Sequence, residues 1–147
     1  MALSRADFEK QIVPGKILYF PCEELRSSEP HYFICITILS DTTILSCCTS
    51  QFETVKRLIE RNKYPYSTLV SIPANDKENI FKKDTYINCN EYFPYTLDEL
   101  WNLYNTGFLT IKGDLSNGYL QQLTIGFLDS EMIEDEIKDI LPDPDDF

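Results

Sequence analysis

Apolar residues first recur in blocks of strand length, separated by polar stretches that carry Pro or Gly, and only later at helical spacing. Residues 15–20 follow Pro14 and bring Ile17, Leu18, Tyr19 and Phe20 together, which predicts a strand. Residues 21–30 (PCEELRSSEP) are polar and bounded by prolines, and predict a loop. Residues 31–39 and 42–48 are rich in β-branched and aromatic types on either side of Ser40-Asp41, the pattern of a β-hairpin. Ser50 and Glu53 have the spacing of a capping box, opening a helix with Phe52, Val55 and Ile59 on one face. Residues 64–67, with Pro65, end that helix; residues 68–72 and 85–89 predict two further strands around the polar stretch 74–83. Thr96 and Glu99 form a second capping box before Leu97, Leu100, Trp101 and Tyr104, and Gly107 sits where a helix C-cap belongs. Residues 108–111 predict a last strand. Ser116 caps a helix with the stripe Leu120, Leu123, Phe127 and Leu128, and Asp129 or Ser130 opens a final helix with Ile133, Ile137, Ile140 and Leu141 inward, stopped by Pro142.

Short strands with inserted and appended helices predict an α+β fold, a small antiparallel barrel-like sheet with helices. With 147 residues the chain has the length of a single domain, a core at about 14–128 followed by an acidic C-terminal helix and tail at 129–147. The 43% hydrophobic content is that of a globular chain rather than a disordered one. The longest apolar run, residues 32–39, is of strand length, so no membrane span is expected. Residues 1–10 carry Arg5, Asp7, Glu9 and Lys10 and no apolar stretch, unlike a signal peptide, and a cytoplasmic location is expected. The cysteines (22, 35, 47, 48 and 89) are odd in number and two are adjacent, which fits reduced thiols, with Cys35 and Cys89 as small buried hydrophobes.

The net charge of −11 changes the functional picture. Nine acidic residues fall in 129–147 against Lys138 alone, which opposes non-specific binding to nucleic acid or anionic lipid. A nucleic-acid function therefore needs a local basic surface, for which Lys56, Arg57 and Arg61 on the first predicted helix are the candidates. They also fit a solvated helix face, with Glu53 and Arg57 as an i,i+4 pair.

One histidine, His31, and the absence of a Cys-x-x-Cys pair leave no expected metal site. No Gly-rich phosphate loop is present, and no cofactor is expected. A hydrolase using Cys22 or Cys48 with His31 would lack a nucleophile elbow. What remains is His31 at the start of the second strand, Thr49-Ser50 at the end of the third and Arg26 in the loop. If the hairpin closes at Ser40-Asp41, His31 and Thr49 meet at its open end. Imidazole, hydroxyl and guanidinium together suit phosphodiester cleavage, the first moving a proton and the last steadying phosphorane charge. The bland alternative makes Thr49-Ser50 a helix cap, His31 a strand-start residue and Arg26 a loop charge.

The order of these segments resembles the MazF/PemK family of toxin-antitoxin proteins. Pro14-Gly15-Lys16-Ile17-Leu18-Tyr19 is similar to that family's opening strand, and residues 31–37 to its second. Residues 44–50, ending in Thr49-Ser50, resemble its third strand with a Thr-Ser signature. Residues 81–90 (FKKDTYINCN) resemble its Leu-x-x-Asp-Ser-hydrophobic-x-Cys-Asp segment, and residues 111–123 its closing strand and helix. The resemblance covers most of residues 14–128. It implies an SH3-like barrel, a homodimer, metal-independent endoribonuclease action on single-stranded RNA and control by an antitoxin protein. Thr49 matches the family's catalytic threonine, whereas Pro30-His31-Tyr32 stands where the family has its catalytic arginine. On this reading Thr49, His31 and Arg26 are catalytic and Lys56, Arg57 and Arg61 guide the RNA. The alternative is a non-catalytic protein-interaction module on the same barrel, with the acidic helix as its docking surface.

Overall fold

The computed structural model describes residues 2–25, 29–74 and 80–147. The chain runs α1 (Arg5–Gln11), β1 (Lys16–Phe20), β2 (His31–Leu39), β3 (Thr42–Thr49), α2 (Phe52–Arg61), β4 (Leu69–Ile72) and β5 (Thr85–Asn88). It continues β6 (Phe93–Thr96), α3 (Leu97–Asn105), β7 (Thr110–Asp114), α4 (Asn117–Asp129) and α5 (Asp135–Lys138), with 3₁₀ turns at Tyr66–Thr68 and Pro144–Asp146. The class is α+β, and every strand pair among the described residues is antiparallel. The sheet order is β4-β5-β3-β2-β1-β7, with β6 also on β3. β4 and β7 end this order, and no ladder joins them among the described residues.

The hairpin forms as the pattern predicts. Leu39 pairs with Thr42 across Ser40-Asp41, and Ser40 takes a left-handed φ of 60° to make the reversal that short. Alternation along the strands then divides the core in two. Ile17, Ile34, Ile44 and Ile87 face one side, where Leu123 and Phe127 of α4 cover them. Leu18, Phe20, Phe33 and Leu45 face the other, beneath Phe8 and Ile12 of the N-terminal segment and Leu100 of α3. Burying both faces removes far more apolar surface from water than a one-sided sheet of this length would.

A buried polar network fixes the C-terminal segment to the first of these faces. Ser130 Oγ donates to Asn90 Oδ1 (2.7 Å), and Asn90 Nδ2 donates to Thr68 Oγ1 (2.8 Å) and Asn88 Oδ1 (2.9 Å). Each partner satisfies another that would otherwise be buried without one. Ile133 and Ile137 then enter the α4-side core, and Tyr92 Oη donates to Glu134 (2.8 Å).

Several elements differ from the sequence-based expectation, each for a local reason. The last strand is Thr110–Asp114 rather than 108–111, because the N–H groups of Phe108 and Leu109 both bond Leu103 O (2.8 and 3.1 Å) and still close α3. Residues 129–141 do not make one long helix. Ser130 Oγ also accepts from Met132 N–H (3.1 Å), the chain turns there, and α5 spans only Asp135–Lys138 with Ile140 exposed. The Ser50/Glu53 capping box is absent: Gln51 is the N-cap of α2 and makes no side-chain cap bond. The Thr96/Glu99 box forms in full (3.0 and 3.1 Å). α1 and β6 were not expected from the pattern; α1 starts where Ser4 Oγ accepts from Asp7 N–H (3.2 Å).

Gly126 of α4 passes so near the 3₁₀ turn and the residue after β5 that a Cβ there would lie 2.6 Å from Cys89 Sγ and 3.0 Å from Ser67 O. Gly126→Ala is therefore expected to destabilise the fold by about 1–3 kcal/mol through overpacking, despite alanine's better helix propensity. Urea unfolding measures this, and unchanged or raised stability would show that α4 does not approach Cys89 and Ser67 this closely.

Candidate nucleic-acid interface

The predicted site residues sit where β3 leaves its partner β2. The β2–β3 ladder includes Phe33↔Cys47, and one alternation step further along each strand lie His31 and Thr49 on that same face. His31 opens β2 opposite Phe20, and Thr49 closes β3 opposite Tyr86 of β5. The structure thus brings His31 and Thr49 to one end of the hairpin, with no hydrogen bond between them among the described residues. Both are half-buried. His31 Nε2 is buried without a hydrogen-bond partner among the described residues, and Thr49 Oγ1 accepts from Gln51 N–H (3.1 Å). The threonine therefore does help to start α2, while its hydroxyl hydrogen is left free to donate. Arg26 lies outside the described residues.

From Thr49 a line of contacts leads to the basic helix. Thr49 pairs with Tyr86; the Tyr86 ring meets Phe52 of α2 at 4.9 Å between centroids; Lys56 Nζ lies 5.8 Å from the centre of the Phe52 ring. Tyr86 projects away from the α4-side core because its neighbours Thr85 and Ile87 point into the opposite face of β5. Both rings are half-buried, and Lys56, Arg57 and Arg61 are exposed. With Glu53 and Glu60 these bases line a shallow hollow of about 480 Å³. The ion pair on the helix is Lys56–Glu60 (4.0 Å), not the expected Glu53–Arg57, so Arg57 and Arg61 keep no ion-pair partner among the described residues.

Sequence reasoning missed the contact between Tyr86 and Phe52. The available signal was Tyr86, a large aromatic at the outward position of a short alternating segment. A second aromatic group lies on the opposite face: Tyr19 and Tyr32 are 4.6 Å apart, Phe81 meets Tyr32 edge-on at 5.3 Å, and Lys112 Nζ lies 5.3 Å from the Tyr19 ring centre. The acidic segment does not cover α2. Its buried residues join the α4-side core, and among the described residues no ion pair links it to Lys56, Arg57 or Arg61.

Four of the five cysteines are poor nucleophiles. Burial pushes the Cys35 thiol up to about 12. Burial also raises Cys47 to about 12, with the Glu91 charge adding to it. Burial drives Cys48 and Cys89 upward as well. Such thiols stay protonated and poorly nucleophilic at neutral pH. Cys48 also belongs to the core on the side of β3 away from His31, which separates the two members of that candidate pair. Among the described residues no group of three or more His, Cys, Asp or Glu could hold a metal ion, and no helix is long and apolar enough to cross a membrane. No protein-family model matches the chain, and no curated protein matches it.

Because Cys47 has its pKa raised from an ordinary 9.0 to about 12, its alkylation rate should keep climbing above pH 9, where that of a free thiol levels off. The raised value also means that stability is retained below pH 9.0 and declines as the pH passes it, since the unfolded thiol ionises first. Mass spectrometry after brief iodoacetamide treatment checks the first expectation; rapid alkylation of Cys47 at neutral pH in the folded protein would contradict it.

Proposed function

We propose that this chain is a MazF/PemK-like protein on an SH3-like barrel, and that it acts on single-stranded RNA along the line Thr49, Tyr86, Phe52 and Lys56. The observation that carries this reading is the unbroken succession of contacts from the Thr49 backbone pair, through two half-buried rings, to an exposed basic helix. Aromatic faces accept bases of any sequence, and neighbouring cations follow the phosphates. The local bases matter more than the net charge, because charges beyond roughly 8 Å are screened at physiological salt.

The chemistry open to these residues is transesterification. His31 takes the proton of an RNA 2′-hydroxyl, whose oxygen attacks the adjacent phosphorus. Thr49 donates its hydroxyl hydrogen to a non-bridging oxygen as charge builds there. The bond to the 5′-oxygen breaks, that oxygen takes a proton back from the imidazolium, and the products are a 2′,3′-cyclic phosphate and a 5′-hydroxyl. No metal takes part. The resemblance extends this reading to a homodimer held by an antitoxin protein.

One observation favours a second reading. Thr49 Oγ1 is engaged by Gln51 N–H, and Pro30-His31-Tyr32 supplies no arginine to the β2 start. A barrel with that arrangement and an acidic segment at 129–147 serves as a non-catalytic interaction module.

Incubation of the intact chain with mixed single-stranded RNA in EDTA separates the two. The first reading expects cleavage that Thr49→Ala and His31→Ala abolish and that Thr49→Ser retains in part. Tyr86→Ala should weaken RNA binding by about 1–3 kcal/mol, the worth of one stacked base. If all three basic residues contact phosphates, log K should fall against log salt with a slope of about −2. Absence of any RNA association at low salt would sink the first reading and leave the second.

A further inference from the structure

A separate hollow of about 1010 Å³ opens on the α3 side of the molecule, between the stretch after β1 and the helix α3. It shares no residue with the Thr49 line. Its volume is at the upper end of the range for ligand pockets, enough for several side chains of a bound peptide. Leu25 and Leu103 contribute apolar lining, and Phe108 stands at its margin with 61% of its surface exposed. Phe108 thus carries the apolar lining of Leu25 and Leu103 out to an exposed edge.

The charged groups described around the hollow are of one sign. Glu23 and Glu24 approach from the segment after β1 and Glu99 from the first turn of α3, and among the described residues no Lys, Arg or His lines it. Glu99 Oε1 accepts from Thr96 N–H (3.0 Å), a bond that uses one of the two carboxylate oxygens. At the base of the hollow Tyr95 Oη donates to Cys22 Sγ (3.2 Å). The Tyr95 pKa is raised, chiefly by burial and then by the bond to Cys22 and the charges of Cys22, Glu24 and Glu99. The negative field of the rim therefore reaches the floor.

We propose that this hollow is the docking site for a basic segment of a partner protein, one that presents an aliphatic or aromatic side chain flanked by Lys or Arg. The apolar side chain would pack against Leu25, Leu103 and Phe108 while the flanking cations meet Glu23, Glu24 and Glu99. Nucleic acid is a poor occupant, because its phosphates would face Glu23, Glu24 and Glu99, the charged residues among the described lining. Opposite charge across the rim should also speed encounter and make it sensitive to salt.

The test titrates the intact chain with a fluorescent, end-blocked peptide, Lys-Arg-Leu-Arg-Phe-Lys-Arg, beside one with every base replaced by Gln and one with Leu and Phe replaced by Ser. Saturable binding of the first peptide is expected, weaker by about tenfold or more for both controls and as salt is raised. The triple variant Glu23→Gln/Glu24→Gln/Glu99→Gln should lose affinity to a similar degree; Gln at position 99 keeps the α3 capping box. Phe108→Ser, at an exposed position, should lose it without change in thermal midpoint. No saturable binding by the unaltered chain, equal binding by the folded variants, or displacement of the peptide by single-stranded RNA from this hollow would overturn the proposal.

Discussion

β3 is hydrogen-bonded to three other strands, and that shared pairing is the constraint on which the remaining structure rests. On one side it carries β2 from Thr42 to Cys47; on the other its first half pairs with β6 and its last residues, Cys48 and Thr49, with β5. The register leaves no freedom about which side chain goes where. Ile44 and Cys48 must enter the α4-side core, and Thr43, Leu45, Cys47 and Thr49 must face the other way. A slip of one residue would bury Thr49 among isoleucines and expose Cys48. The position of Thr49 beside Tyr86, and so beside α2, is therefore set by the same ladder that assembles the core.

The charge distribution follows from that arrangement. The acidic C-terminal segment is held on the α4 side through Ile133, Ile137 and the Ser130–Asn90–Thr68 bonds. The bases of α2 lie on the other side of β5, next to Tyr86. A strongly acidic chain thus keeps one exposed basic helix unpaired with its own acidic tail. A further acidic surface, around Glu23, Glu24 and Glu99, is formed by elements that bury Leu18 and Phe20 on the α1/α3 side. Two surfaces of opposite sign suit two partners of opposite charge.

Local chemistry was legible in the sequence, and long-range pairing much less so. The β2–β3 hairpin and the α3 capping box could be read because each depends on neighbours a few residues apart. β6 could not: Phe93-Pro94-Tyr95-Thr96 contains a proline, which argues against a central strand, yet Pro94 is accommodated opposite Ile44. The Ser50/Glu53 box was a reasonable reading of spacing, but β3 delivers Thr49 in the position to take the Gln51 N–H instead. Ile133 and Ile137 read correctly as inward, while the length of their helix did not, because Ser130 spends its hydroxyl on Asn90. The proximity of His31 and Thr49 was legible from the hairpin register. The Phe52–Tyr86 contact joins residues far apart in sequence, and the local pattern marks Tyr86 as outward without naming its partner.

The central claim is that RNA lies along β3 and α2, and amide chemical-shift mapping of the isotope-labelled intact chain tests it most directly. A short, unstructured oligoribonucleotide in EDTA should shift or broaden the amides of Thr49, Gln51, Phe52, Lys56 and Tyr86 together, leaving those of Glu23, Leu103 and Phe108 in place. Shifts confined to Tyr19, Tyr32 and Lys112, or no shifts at low salt, would contradict the assignment of this line as the nucleic-acid interface.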